Sequence, residues 1–71
     1  MTLTAIIERE DEGYVALCPE LDVASQGDSV DEARINLAEA VELFLETADP
    51  SEVKERLHSE VYVTQLQVNF G

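Results

Sequence analysis

The sequence predicts an α+β domain of order β-β-β-α-(short α)-β, with an antiparallel-rich sheet and one long helix packed on one face. Three observations predict it. Apolar and polar residues alternate through the N-terminal third, the period of a strand. A run at helical spacing follows a capping signal at Ser29. Alternation then returns near the C-terminus. With 71 residues the chain reads as one domain, residues 1–71.

Thr2 to Arg9 is expected as the first strand, with Leu3, Ala5 and Ile7 on one face and Thr4, Ile6 and Glu8 on the other. Glu10-Asp11-Glu12-Gly13 is polar and ends in glycine, which suits a hairpin turn. Tyr14 to Cys18 is the second strand: Tyr14, Ala16 and Cys18 share one face, Val15 and Leu17 the other. Pro19 ends it, because proline lacks an N–H and restricts the residue before it. Leu21 to Ser25 is a short third strand closed by Gln26-Gly27-Asp28.

Ser29-Val30-Asp31-Glu32 forms a capping box, with Asp31 and Glu32 favoured by the positive helix start. Val30, Ala33, Leu37, Ala40, Val41, Phe44 and Ala48 make one apolar stripe, and the helix ends near Thr47, before Asp49-Pro50. Ser51 caps a second helix, Glu52 to Leu57, and Glu60 to Asn69 is expected as a last strand. In that strand Tyr62, Thr64, Leu66, Val68 and Phe70 share a face opposite Val61 and Val63, whose side continues with Gln65 and Gln67. The change of apolar face implies a bulge or a partner on the second face.

One helix covers one sheet face only, so Ile6, Val15, Leu17, Val61 and Val63 predict that the other face meets a second subunit or a partner. A chain of this size buries only about 60% of its unfolded surface. With a single cysteine it has no internal disulfide to compensate. A homo-oligomer, a dimer or higher, follows as the expectation.

Sixteen acidic residues oppose four basic ones, a formal charge of −12. Such a surface repels phosphate backbones and attracts basic partners; the plainer reading of the same charge is solubility. The start lacks the basic-then-apolar pattern of a signal peptide, and no run reaches membrane-spanning length. Both point to a cytoplasmic protein.

Catalytic and metal chemistry finds no constellation. His58, the only histidine, sits where a helix C-terminus favours a cation. Cys18 lacks the electropositive setting of a reactive thiol and reads as a small buried hydrophobe. Asp22, Asp28 and Asp31 do not have calcium-loop spacing and suit a turn and a helix start. Gly13 and Gly27 are isolated, so no phosphate-cradling loop is present. The expectation is a non-enzyme with no cofactor or metal. Ile35 projects opposite the apolar stripe, among Asp31, Glu39, Glu42 and Glu46. A single exposed apolar residue is ordinary. In the middle of an acidic face it is also a contact candidate. Ile35, Glu39, Glu42 and Glu46 are therefore the candidate partner-binding residues.

The run Tyr14-Val15-Ala16-Leu17-Cys18-Pro19-Glu20-Leu21-Asp22-Val23-Ala24-Ser25-Gln26-Gly27-Asp28-Ser29, continued by Val30-Asp31-Glu32-Ala33, Asn36-Leu37 and Glu39-Ala40, resembles the HicB family of antitoxins. The acidic hairpin Glu10 to Gly13 fits as well, so the resemblance spans nearly the whole chain. It implies a partial ribonuclease-H-like fold, with a three-strand meander, a helix and a final strand beside the first. It does not imply nuclease activity, because the first strand offers Leu3, Ala5, Ile6 and Ile7 where that enzyme carries metal-binding carboxylates. It implies a partner too: HicB proteins neutralise HicA, a small mRNA-cleaving toxin with a double-stranded-RNA-binding-like fold, and an acidic antitoxin suits such a target. Many HicB proteins add a C-terminal DNA-binding domain; the sequence reaches Gly71 directly after the last expected strand, so operator binding is not expected. The function expected is toxin neutralisation by occlusion. The alternatives are a solitary self-assembling protein or small-ligand binder without a toxin, and a hydrolase remnant, for which no catalytic set can be assembled.

Overall fold

Asp11 and Glu12 turn the chain back on itself, joining β1 (Ile6–Glu10) to β2 (Gly13–Cys18) in a computed structural model that describes residues 1–71. Asp11 takes the left-handed conformation this tight turn requires (φ 53°), which Asp tolerates better than most residues. The ladder pairs Ile6 with Leu17, Ile7 with Ala16 and Glu10 with Gly13. β3 (Val23–Gly27) pairs antiparallel with β2, setting Cys18 against Val23 and Tyr14 against Gly27. The sheet order is β1-β2-β3. α1 (Val30–Thr47) crosses one face, and α2 (Pro50–Arg56) follows. The α+β class and the order of these five elements agree with the sequence reading.

β1 is shorter at its start than the alternation suggests, and Pro19 explains why. The register that pairs Ile6 with Leu17 would next set Thr4 opposite Pro19. Proline offers no N–H to the ladder. Thr4 N–H instead donates to both carboxylate oxygens of Glu20, at 3.0 Å each, and Thr4 Oγ1–H donates to Oε2 at 2.6 Å. The strand start is thus tied down by a side chain. β3 lies two residues later than expected, because Leu21 is withdrawn from the strand to fill the core from the β2–β3 loop, where it is fully buried.

α1 begins as the capping signal predicts. Ser29 Oγ accepts from Glu32 N–H at 3.0 Å, while the Glu32 carboxylate accepts from Asp28 N–H at 3.1 Å, one residue beyond the usual reciprocal partner. Ser29→Ala is expected to cost about 1 kcal/mol in chemical denaturation. A loss below about 0.3 kcal/mol would show that the cap is dispensable. α2 starts two residues earlier than Ser51 would place it: Asp49 is the N-cap and Pro50 the first helical residue, a position that suits its fixed φ and missing N–H.

The core lies between α1 and the sheet. Ala16 and Cys18 from β2, Leu21 from the loop, and Ala33, Leu37 and Val41 from α1 are its buried members. Leu3, Ile7, Tyr14, Val23, Phe44 and Leu45 pack around them. Val30, expected in the buried stripe, is half exposed at the helix start, whereas Leu45 joins the core from the stripe's flank.

The strand expected over Glu60–Asn69 does not form: no residue after Arg56 belongs to a helix or strand. An extended segment has no hydrogen bonds of its own and needs a neighbouring strand to satisfy its backbone. The sheet consists of β1, β2 and β3 alone, with nothing laid along its outer edges. The apolar residues of this segment are consequently exposed, Leu66 to 84% and Phe70 fully.

Candidate partner-binding surface

Burial of Ala33, Leu37 and Val41 fixes the rotation of α1. At about 100° per residue, positions half a turn from that stripe face away from the sheet. Ile35, Glu39, Glu42 and Glu46 occupy this outward side and are all exposed, Ile35 to 50%. The structure therefore gathers the four candidates on one surface. It adds Leu43, which is 60% exposed. Leu43 follows Glu39 by four residues, as Glu39 follows Ile35, so the three form one ridge. Leu43 escaped sequence reading because it is flanked by Glu42 and Phe44 and belongs to no apolar stripe. The eight-residue spacing from Ile35, two four-residue steps along the helix, was the available signal.

The charges on this surface are largely uncompensated. Arg34 to Asp31, 3.5 Å apart and well exposed, is the chain's one salt bridge. Arg9 lies over the Tyr14 ring, and Arg56 lies over Phe44 while donating to the Asp22 carbonyl at 2.9 Å. Three of the four cations are thus engaged within the fold. At the hairpin end, Glu10, Asp11, Glu12, Asp28 and Glu32 surround an open cleft of about 410 Å³ and extend the acidic surface away from the helix. No three His, Cys, Asp or Glu side chains come together in a way that could hold a metal ion.

Two apolar surfaces complete the description. On the uncovered sheet face, Ile6, Val15, Leu17 and Ala24 line a shallow hollow of about 220 Å³, rimmed by Glu8 and Glu10. Beside the segment that leads into β1, a groove of about 540 Å³ runs between Leu3 and Ala5 on one side and Ala38, Val41 and Leu45 of α1 on the other.

The His58 backbone and the Cys18 side chain are both tied to Glu20. His58 N–H donates to the Glu20 carbonyl at 2.7 Å. Cys18 is buried, its Sγ lies 3.5 Å from the Glu20 carboxylate, and burial pushes the thiol above its ordinary range. A protonated thiol facing a carboxylate is a poor nucleophile.

A UPF0150 protein of Helicobacter pylori is 32% identical over 72 aligned residues, spanning 100% of both chains. The chain belongs to the UPF0150 family. A UPF0150 protein of Synechocystis is 52% identical over 46 residues, covering 62% of this chain and 64% of the relative. A second Synechocystis UPF0150 protein is 48% identical over 46 residues, covering 62% and 58%. The match therefore spans a little under two thirds of either Synechocystis relative. No family model and no solved structure matches the chain. The UPF0150 relatives carry no activity, ligand or partner in their names, and none is named HicB. No helix of this UPF0150 chain is long and apolar enough to cross a membrane.

Proposed function

We propose that the chain is a non-enzymatic protein-binding module that acts in the manner of a HicB antitoxin, covering the RNA-binding surface of a basic HicA-type toxin. The observation that carries this reading is the outward face of α1. Ile35 and Leu43 stand half exposed or more among Glu39, Glu42 and Glu46, on a chain of charge −12. Interfaces of this type place an apolar anchor inside a charged surround: the anchor supplies affinity and the surround steers encounter. A toxin that grips RNA must present cations, and those cations match this face.

The test is titration of a purified HicA-type toxin with the chain, following both binding and RNA cleavage. Stoichiometric inhibition is expected, with association slowing as salt rises. Ile35→Ala is expected to weaken binding about tenfold, and Ile35→Ala with Leu43→Ala about a hundredfold, at unchanged helicity. Cleavage that continues at excess chain would sink the assignment. Inhibition untouched by the double variant would move the interface off α1.

A second reading is a self-assembling protein without a toxin. The exposed apolar segment after α2 favours it, because large exposed apolar patches mark association surfaces.

A further inference from the structure

Val61 to Phe70 contains no charged residue, in a chain whose composition is 28% charged. Tyr62, Val63, Leu66 and Val68 are each more than two thirds exposed. The chain leaves its body at His58, whose N–H is held by the Glu20 carbonyl, and the molecule reaches 48 Å along its longest axis. Its radius of gyration is 14.1 Å, against about 11 Å for a compact chain of this length. The segment projects as an arm. The same chain carries the complementary surface. β1 has a strand neighbour on one side only, and between the segment that leads into it and α1 runs the groove whose apolar lining includes Leu3, Ala5, Ala38, Val41 and Leu45.

The two surfaces correspond in polarity. On the uncovered sheet face, β1 changes from apolar at Ile6 to acidic at Glu8 and Glu10. One face of the arm changes in the same direction, from Val61 and Val63 to Gln65, Gln67 and Asn69. Its other face, with Tyr62, Leu66, Val68 and Phe70, is apolar except at Thr64, and the groove is mainly apolar, with Thr4, Arg34 and Glu42 on its lining. A strand laid parallel to β1 therefore places apolar against apolar and polar against polar on the uncovered face, and a mainly apolar row against a mainly apolar groove on the other.

We propose that two copies of this chain exchange these arms, each adding Val61–Phe70 as a parallel fourth strand on β1 of the other, with Tyr62, Leu66 and Val68 in its groove. Exchange is reciprocal and closes under a two-fold axis, so both arms and both edges are satisfied at once. It also brings two strongly acidic bodies together through their one long uncharged segment. This inference stands independently of any toxin.

The experiment uses the full chain. A tagged chain carrying Ala38→Cys is mixed with an untagged chain carrying Leu66→Cys and oxidised, with the natural chain as the control for buried Cys18. The expected product is a disulfide-linked heterodimer, and sedimentation of the natural chain as a dimer at tens of micromolar. Leu66→Lys is expected to raise the dimer dissociation constant at least tenfold while the circular dichroism of α1 persists. A double variant, Ala38→Cys with Leu66→Cys, that closes as a monomer with no linked dimer would overturn the proposal in favour of an arm folding onto its own β1. A natural chain that sediments as a monomer, or a dimer unaffected by Leu66→Lys, would overturn it equally.

Discussion

Replacing Gly27 by alanine is expected to destabilise the chain by about 3 kcal/mol or more, the largest effect of any single methyl group in this fold. The cause is contact, because no glycine here has a positive φ. Gly27 ends β3 where it meets the first turn of α1. A Cβ built there would lie 2.5 Å from Ala33 N and 2.8 Å from Glu32 C. Both are backbone atoms of a capped helix, which cannot move aside as a side chain would. Accommodating the methyl group means lifting α1 from the sheet, and with it Ala33, Leu37 and Val41 from the core. A chain of 71 residues has a total stability on the order of 5–10 kcal/mol, so the variant should unfold at markedly lower urea. Gly13→Ala is the comparison: its Cβ would come to 3.0 Å from a single atom, the Gly27 carbonyl oxygen, and a smaller loss is expected. Equal midpoints for the Gly27 variant and the natural chain would show that β3 and α1 can part without cost.

Glu20→Gln is the second large effect, expected to cost about 2 kcal/mol at neutral pH and less in acid. Glu20 is the one buried charged side chain. Its carboxylate receives Thr4 Oγ1–H, Thr4 N–H and the Cys18 thiol, while its carbonyl receives His58 N–H. It joins the start of β1, the end of β2 and the exit of the chain after α2. The hydrogen bond from Thr4 Oγ1 is the main cause holding its carboxyl below the ordinary carboxylate range; burial opposes this and is outweighed. As pH falls, the unfolded chain takes up this proton before the folded one does. The stabilisation is therefore complete above the ordinary carboxylate range, near pH 4, and is lost as pH drops through the lower folded value. Glutamine carries no such proton. The stability gap between natural chain and variant, measured by urea titration from pH 7 to pH 3, should narrow at the acid end. A constant gap would mean that the hydrogen bonds do not depend on the ionised form.

The two residues behind these effects differ in how far the sequence exposed them. Gly27 reads as a turn glycine, since a strand end followed by Asp28-Ser29 is turn chemistry. Its contact with Ala33 depends on how closely α1 lies over β3, which no local pattern encodes. Glu20, in Pro19-Glu20-Leu21, belongs to the run that resembles HicB, yet nothing local says that its carboxylate replaces the ladder partner Pro19 cannot supply. That function appears only when Thr4, sixteen positions earlier, is folded beside it. On the candidate surface, Ile35, Glu39, Glu42 and Glu46 were legible because helical geometry assigns their side once the buried stripe is known. Leu43 was not, since local hydropathy does not distinguish an apolar residue beside the stripe from one within it.

By itself the sequence determined the three-strand meander, the start of α1 at Ser29, its buried face and the acidic excess. These rest on interactions within a few residues or on the periods of strand and helix, which operate before any distant segments meet. Tertiary structure decided the rest: the truncation of β1, the burial of Glu20, the close approach at Gly27, and the fate of Glu60–Asn69. The last of these shows the reason most directly. Alternation tells which faces a strand would have, but a strand exists only beside another, and whether an edge is available to receive it is a property of the folded sheet.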